Sequence, residues 1–386
     1  MSDGLPTRPL ARAPLDLPAD IARILPDFDA GRPAALARAV SIVENHRSGF
    51  DALLSVLHPR LGRARRIGVT GPPGAGKSTL TALLAKHYRA EGLRVGIIAV
   101  DPTSPFTGGA LLGDRIRMES IALDPGVFIR SMATRGSLGG LASATREVAD
   151  TLDAFGFDRI LLETVGVGQS ELDIAAAADT SLVVLVPESG DSIQTLKAGV
   201  MEIADVFVVN KADRPGADRL RHELELMLGL RGGHTLKNVP AHHGIDLKSV
   251  ANPAKAARAA AADAQADTWT PPVLGTVGVK EEGIGDLVGA LDRHFEFLVR
   301  TGGLRERRRK RLRERVIEVV ERKVQQRLWD HAPTNDWIES RIGALESGDA
   351  TPFGVADELL ARSGEILTGS AGSGRPASLS DRQLTS

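Results

Sequence analysis

The residues best suited to chemistry form a phosphate-binding loop, because Gly71–Ser78 reads GPPGAGKS and fits the pattern G-x-x-x-x-G-K-[ST]. Glycines in such a loop let several backbone N–H groups approach one polyphosphate, and the following helix adds the amides of its N-terminus. We expect Lys77 to contact the β- and γ-phosphates and the Ser78 hydroxyl to ligate Mg²⁺ on the same oxygens. The predicted nucleotide contacts from this loop are Gly71, Pro72, Pro73, Gly74, Ala75, Gly76, Lys77, Ser78 and Thr79.

A second motif concerns the base of the nucleotide. Asn210-Lys211-Ala212-Asp213 has the form NKxD, and its Asn210 ends the apolar run DVFVVN. A carboxylate such as that of Asp213 accepts hydrogen bonds from N1–H and the 2-amino group of guanine, whereas adenine offers neither donor there. Lys211 can lie along the base plane, and Asn210 can tie this segment to the phosphate-binding loop. The motif therefore favours GTP over ATP.

Three acidic residues are candidate Mg²⁺ ligands beside Ser78, because Mg²⁺ prefers hard oxygen ligands. Asp101 ends the run VGIIAV, Asp114 follows the glycine-rich TGGALLG, and Glu163 ends RILLE and begins ETVG. The alternative for any one of them is a surface carboxylate or a helix cap. Gly166, the last residue of ETVG, is suited to donate its amide to the γ-phosphate.

Hydrolysis of the nucleotide would depend mainly on positioning and charge neutralisation, as in other phosphoryl transfers. The candidate catalytic residues are therefore Lys77, Glu163 through the metal, and Arg117 as a mobile cation. Gln169 is chemically suited to orient the attacking water, although it lies beyond Gly166. Weak intrinsic hydrolysis, accelerated when a partner orders these glycine- and serine-rich segments, follows as a hypothesis.

The composition limits the other classes of function. The chain has 386 residues, of which 42% are hydrophobic, and a formal net charge of −1, so no global charge attracts nucleic acid or a membrane. It has no cysteine, which excludes disulfides, thiolate metal sites and cysteine nucleophiles and is compatible with a reducing compartment. Since no long apolar run and no secretory segment stand out, we expect a cytoplasmic protein without a membrane span.

Short apolar runs alternate with helical patterns from Ile67 onward and must position these motifs. Runs that are apolar on both faces are typical of a parallel sheet covered by helices. The predicted fold is α/β, a mostly parallel P-loop NTPase sheet with helices on both faces. The predicted strands are IGVT, VGIIAV, VFIRS, RILLETV, TSLVVLV, DVFVVN and VLGTV.

The rest of the chain is predicted to be helical or disordered. The predicted segments are a disordered N-terminus 1–18, helices over 19–63, a GTPase domain over 64–300 with an insertion at 231–267, a C-terminal helical dimerisation arm over 301–362, and a disordered tail 363–386. Within the arm an apolar residue recurs every four positions, at Leu312, Val316, Val320, Val324 and Leu328. Such a stripe must be covered, and either its own domain or a second copy could cover it.

Three further runs carry a specific resemblance. DPTSPFTGGALLGDRIRM (Asp101–Met118), TRGSLGG (Thr134–Gly140) and ETVGVGQSE (Glu163–Glu171) resemble the MeaB/ArgK family of GTPases, within the SIMIBI class of P-loop proteins. The resemblance extends from about Leu36 to Leu328 and is least clear over 231–267. It implies a homodimeric GTPase that acts as a chaperone for an adenosylcobalamin-dependent acyl-CoA mutase, most often methylmalonyl-CoA mutase. GTP hydrolysis would gate cofactor delivery and protect the mutase.

The same resemblance assigns roles to individual segments. It makes Asp101–Met118 the first switch, Glu163–Glu171 the second, and Glu188–Lys197 a third mobile segment in which Lys197 occupies the position of the family's lysine. Lys197 is therefore a further candidate catalytic residue.

A departure from the family pattern affects the guanine site. The family usually has Ser-Ala in a loop after the WxPP sequence, whereas this chain has Val277-Gly278. Val277, Gly278 and Val279 remain candidate guanine contacts, through the backbone rather than through side chains. The chain has no Asp-x-His-x-x-Gly cobalamin signature, so adenosylcobalamin would be bound only by the partner mutase. A cobalamin adenosyltransferase is a further candidate partner.

Three alternatives stay open at this point. A transport-associated kinase for basic amino acids would need a phosphoacceptor or an amino-acid pocket that the sequence does not reveal. A metallochaperone GTPase would have His242-His243 as its only adjacent histidine pair and no cysteine. Nucleic-acid binding through the basic run Arg305–Arg315 would lack stacking residues, because aromatic residues are only 4% of the chain and none lies in this run. The sequence favours the mutase-associated GTPase, with no nucleic acid as partner.

Overall fold

The structure is a computed structural model that describes residues 17–101, 118–133, 140–164, 170–187, 202–231, 268–330 and 332–368. The chain divides into two compact units, Met1–Arg311 and Leu312–Ser386. The predicted insertion at 231–267 lies outside the described residues, apart from its first residue. Of the predicted disordered segments 1–18 and 363–386, the structure describes only residues 17–18 and 363–368, and residues 363–368 are helical rather than disordered.

The described part of the first unit is built on one parallel sheet of seven strands. The strands are β1 Arg65–Thr70, β2 Val95–Asp101, β3 Val127–Ala133, β4 Arg159–Thr164, β5 Thr180–Leu185, β6 Val206–Asn210 and β7 Val273–Thr276. Their order across the sheet is β3-β2-β4-β1-β5-β6-β7, and all paired neighbours are parallel. Each predicted run contributes a strand, and the predicted fold class is confirmed.

Helices cover both faces of this sheet. Among the described residues, the helices of the first unit are α1 Ala19–Asp29, α2 Pro33–Glu44, α3 Phe50–Leu57, α4 Lys77–Ala90, α5 Glu119–Ala122, α6 Gly140–Phe155, α7 Ser170–Ala177, α8 Ala217–Arg231 and α9 Ile284–Thr301. Helix α10, Gly303–Trp329, begins in the first unit and continues into the second.

Successive residues of the central strands point to opposite faces and enter different hydrophobic cores. Ile98 of β2 is buried in a core formed by α1–α3, α6 and α7, whereas its neighbour Ile97 is buried in the core under α4 and α9. A third cluster joins β5 and β6 to Leu220 and Leu224 of α8. Because α1–α3 share the core of the sheet, the N-terminal helices are an integral part of the first unit.

The strand register brings the carboxyl ends of the central strands to one edge. Val69 of β1 is level with Glu163 of β4, and Asn210 of β6 is level with Thr276 of β7. The chain leaves β1 for β2 on one side of the sheet and reaches β5 on the other side, so β1 lies at the point where the strand order reverses. Parallel α/β sheets bind ligands at the carboxyl ends of the strands at such a point.

The second unit contains the remainder of α10 together with α11, Ala332–Ser347, and α12, Pro352–Thr368. An ion pair of 3.2 Å between Arg341 and Glu358 links α11 to α12. No residue of α10 is buried, and its apolar stripe is exposed, with Val316 at 63% and Val320 at 54%. Among the described residues no helix is both long and apolar enough to cross a membrane.

Candidate nucleotide-binding site

The phosphate-binding loop connects the carboxyl end of β1 to α4, which begins at Lys77. Gly71 and Gly76 have φ values of +136° and +87°, in the region that favours glycine. A Cβ atom at Gly71 would lie 2.0 Å from the backbone oxygen of Val184, and one at Gly76 would lie 2.3 Å from Nδ2 of Asn210. These glycines are therefore required by the tight approach of β5 and of the NKxD segment.

Lys77 lies across the loop that precedes it. Its Nζ donates hydrogen bonds to the backbone oxygens of Gly71, at 2.8 Å, and Pro72, at 3.0 Å, and the side chain is buried. The ammonium group is thus held by the same loop whose amides would surround a polyphosphate. This arrangement places one positive charge where the phosphates would carry their negative charge.

Ser78 and Glu163 form a buried pair of oxygen donors next to the loop. The Ser78 hydroxyl donates to Oε1 of Glu163 at 2.5 Å, and both residues are almost fully buried. A hydroxyl and a carboxylate at this position fit the hard-ligand preference of Mg²⁺, which commonly takes one or two carboxylates and completes its shell with phosphates and water. Asp101 ends β2, the strand that pairs with β4.

Asn210 connects three segments of the site. Its Nδ2 donates to the backbone oxygen of Ala75 at 2.8 Å, inside the phosphate-binding loop. Its Oδ1 accepts from the hydroxyl of Thr276 at 3.1 Å and from the backbone N–H of Gly278 at 3.2 Å. One buried amide therefore fixes the phosphate-binding loop relative to both base-side segments.

The other NKxD residues lie at the rim. Lys211 adopts a left-handed conformation with φ of +57°, and Ala212 donates its N–H to the oxygen of Thr276 at 3.0 Å. Asp213 is partly exposed, and its carboxylate forms an ion pair of 3.2 Å with Lys280. The carboxylate is therefore accessible at the edge of the site, as a base-recognising group must be.

The turn after β7 completes the base side. Val277 is buried, and Gly278 lies against Thr79 of α4, because a Cβ atom at Gly278 would be 3.2 Å from Cγ2 of Thr79. Val279 is 89% exposed. Because the side chain of Val277 is buried, this residue can offer a base only its backbone.

Five predicted site residues lie outside the described residues. They are Asp114, Arg117, Gly166, Gln169 and Lys197. Most of the first switch, the middle of the second and all of the third lie there too. The described residues thus comprise the phosphate-binding loop, the Ser78–Glu163 pair and the base side.

Sequence reasoning missed a charged cluster at the opposite edge of the sheet. Asp179 precedes β5 and accepts hydrogen bonds from Arg308 and Arg311, and Asp205 precedes β6 and accepts two hydrogen bonds of 2.8 Å from Arg307. We call Arg307, Arg308 and Arg311 the arginine clamp. These residues belong to the basic run Arg305–Arg315, and the structure shows them paired with buried acids.

The clamp changes the titration of both acids. Burial alone would raise the pKa of Asp179, but the hydrogen bonds and charges of Arg308 and Arg311 prevail and hold it at about 2. Burial likewise opposes ionisation of Asp205, and hydrogen bonds from Arg307 and His294 lower its pKa overall. The sequence offered two signals, the helical spacing of the three arginines and an acid directly before each of two strands. Nothing in the sequence indicates which arginine pairs with which acid.

Comparison with known proteins agrees with this geometry. A phosphate-binding loop after β1 of a parallel sheet, with NKxD after β6, defines the chain as a P-loop nucleotide-binding protein. The family model described as Methylmalonyl Co-A mutase-associated GTPase MeaB matches residues 36–333, and the chain belongs to this family. The predicted resemblance to MeaB/ArgK GTPases is confirmed.

Individual relatives cover most of the chain. A protein of Pyrococcus abyssi that is named "Putative GTPase" is 45% identical over 86% of this chain and 93% of its own length. The GTPase ArgK of Escherichia coli is 32% identical over 83% of this chain and 90% of its length, and the mouse protein named methylmalonic aciduria type A homolog, mitochondrial, is 30% identical over 86% and 76%. A crystal structure of a LAO/AO transport system kinase matches with a TM-score of 0.59 and 26% identity, over 89% of this chain and 97% of that one.

Proposed function

We propose that this chain binds GTP with Mg²⁺, hydrolyses it, and uses the cycle to gate adenosylcobalamin loading and protection of an acyl-CoA mutase of the methylmalonyl-CoA mutase type. The observation that carries the nucleotide assignment is the Asn210 side chain, which joins the phosphate-binding loop to the base side. The mutase assignment is supported by the description of the family and by the name of the mouse relative. The corrinoid belongs to the partner.

Each described residue of the site has its own proposed role in binding or hydrolysis. Lys77 would neutralise charge on the phosphates, and the buried Ser78–Glu163 pair would hold Mg²⁺ together with Asp101. When bound, Mg²⁺ supplies further charge neutralisation at the phosphate oxygens. Asp213 accepts hydrogen bonds from guanine, while Asn210 keeps base and phosphate subsites at a fixed separation. Among residues outside the described part, we assign Arg117, Gln169 and Lys197 to catalysis, Gly166 to the γ-phosphate and Asp114 to the metal.

We further propose a homodimer formed through the exposed stripe of α10, whose Val316 and Val320 are more than half exposed in the single chain. Intrinsic hydrolysis is slow and is stimulated by the mutase, and a cobalamin adenosyltransferase is a second partner. A cytoplasmic location fits the absence of cysteine from the sequence.

Two measurements test the proposed function. Titration with fluorescent GDP and ADP should show tight binding of GDP only, because adenine offers Asp213 no matching donors. Single-turnover hydrolysis of GTP should then accelerate when methylmalonyl-CoA mutase is added. Equal affinity for ADP would overturn the guanine assignment, and an unchanged rate with the mutase would overturn partner stimulation.

The structural similarity to a LAO/AO transport system kinase favours one alternative, a kinase of a transport system. GTP or ATP labelled at the γ-phosphate distinguishes the two functions. The proposed GTPase releases the label as inorganic phosphate, whereas a kinase transfers it to a protein or an amino acid. A metallochaperone is less well supplied with ligands, since the sequence has no cysteine and its only adjacent histidine pair, His242-His243, lies outside the described residues.

A further inference from the structure

An ion pair links the base-recognising carboxylate to a residue outside the NKxD motif. Nζ of Lys280 lies 3.2 Å from Oδ2 of Asp213, and both side chains are partly exposed, at 53% and 39%. We propose that Lys280 is a positioning residue for Asp213, which orients the carboxylate toward guanine and thereby contributes to base selectivity. This inference rests on the proposed binding of a guanine nucleotide.

The backbone of Lys280 belongs to a turn that contacts both the sheet and a helix. Gly278–Lys280 forms a single 3-10 turn after β7, and the strand-like pairing of Val277 with Glu282 closes its stem. Glu281, which follows Lys280, accepts hydrogen bonds of 2.7 and 2.9 Å from Lys86 of α4. The turn is therefore attached both to the sheet and to the helix that begins at the phosphate-binding loop.

The conformation of Gly283 further restricts the position of this turn. Its φ is +76°, and a Cβ atom there would lie 2.4 Å from the backbone oxygen of Gly275. The chain consequently returns tightly against β7 before α9 begins at Ile284. These contacts fix the backbone of Lys280, and from this position its ammonium group reaches the Asp213 carboxylate.

Asp213 needs such a neighbour because its task is directional. The carboxylate has to present its two oxygens to N1–H and the 2-amino group of one base at the same time. The side chain of Val277 is buried and has no hydrogen-bond donor, so it cannot orient the carboxylate. Lys280 contacts Oδ2 from outside the motif and leaves Oδ1 and the remaining lone pairs for the base.

The size of the effect follows from the exposure of the pair. Exposed ion pairs change an equilibrium by roughly two- to fivefold and are screened by salt. We therefore expect Lys280 to tune selectivity rather than to create it. Most of the change should appear in the dissociation rate, as is usual for variants of one binding site.

The test compares Lys280→Gln with Lys280→Arg and with Arg305→Gln, which removes an exposed cation from the first turns of α10. Dissociation constants are measured for GDP and for inosine diphosphate, which differs from GDP only by lacking the 2-amino group. In Lys280→Gln the GDP affinity should fall about two- to fivefold, and the preference for GDP over inosine diphosphate should fall with it. Lys280→Arg should keep most of the preference, and Arg305→Gln should behave as the unchanged protein.

Several outcomes would overturn the inference. A preference for GDP over inosine diphosphate that is unchanged in Lys280→Gln would do so, and so would equal weakening of both nucleotides, which indicates damage to the turn. In an Asp213→Ala background Lys280→Gln should have no further effect, and an additive loss would contradict action through Asp213. Failure of the proposed function is distinguishable, because the unchanged protein would then bind ADP as well as GDP.

Discussion

At the scale of single residues, the site depends on a small number of buried polar contacts. Lys77 is held by carbonyls of its own loop, Ser78 by Glu163, and Asn210 by three groups on two segments. Polar groups that are buried and paired are costly to disturb, because a lost partner leaves a desolvated group unsatisfied. Conservative substitutions at these positions therefore test function more clearly than removal of the whole side chain does.

Glu163→Gln should weaken Mg²⁺-dependent GTP binding by at least about tenfold, a typical loss for metal sites that lose a charged contributor. Glutamine can still accept the hydrogen bond from Ser78, so the local packing is retained while the charge is removed. The measurement is GTP affinity as a function of Mg²⁺ concentration, with GDP binding in EDTA as the reference. Glu163→Asp keeps the charge and serves as the control. An Mg²⁺ dependence identical to that of the unchanged protein would count against a role at the metal.

Among the helices and strands, the start of α10 is held by ion pairs at the edge of the sheet where the amino ends of the strands lie, which we call the amino edge. Arg308 and Arg311 pair with Asp179 before β5, and Arg307 pairs with Asp205 before β6. Asp179 also accepts a hydrogen bond from the backbone N–H of Arg66 in β1, at 3.1 Å. One buried carboxylate therefore joins a helix to the beginnings of two strands.

Asp179→Asn should lower the free energy of unfolding by about 3–5 kcal/mol, the usual loss when one partner of a buried ion pair is removed. Arg308 and Arg311 would lose their charged counterpart. Urea unfolding followed by circular dichroism measures the effect, with constant slope as a check that the unfolded state is unchanged. Glu223→Gln breaks an exposed ion pair with Arg219 and should leave the free energy of unfolding almost unchanged. Equal losses in the two variants would show that the clamp contributes little.

The clamp also predicts the acid limit of stability. The pKa of Asp179 is lowered from 3.8 to about 2, so its contribution is fully present above pH 3.8 and is lost as the pH falls toward 2. A shift of this size corresponds to about 2 kcal/mol. The lowered pKa of Asp205 acts in the same direction. Asp179→Asn should therefore reduce the slope of stability against pH between about pH 4 and 2, and an unaltered slope would contradict the assignment.

Over the whole molecule, nucleotide binding and stabilisation by ion pairs belong to opposite edges of one sheet. The carboxyl edge carries the nucleotide site, and the amino edge carries the arginine clamp, so changes at the clamp can alter stability without touching a ligand. The second unit presents the exposed stripe of α10. Apolar side chains in a row on a charged helix are typical of a surface that another chain covers.

Val316→Glu combined with Val320→Glu should therefore shift the chain from dimer to monomer, because two charges would have to be buried in the proposed interface. Sedimentation analysis over a concentration series measures the shift. Gln326→Glu adds a charge to an exposed position of the same helix outside the stripe and should leave the assembly unchanged. A dimer that persists in the double variant would show that the stripe is not the interface.

The sequence alone was sufficient for those parts of the molecule that depend on local backbone chemistry. The glycines of GPPGAGKS, the order of polar residues in NKxD and the doubly apolar strand runs each constrain a few consecutive residues, so they specify the loop, the guanine preference and the parallel sheet. Contacts between residues that are far apart in the chain could be known only from the folded structure. Arg308 contacts Asp179 across 129 residues, and Lys280 reaches Asp213 from the turn of another strand. The sequence showed these charges as a basic run and an ordinary turn, because only folding determines which opposite charge each of them meets.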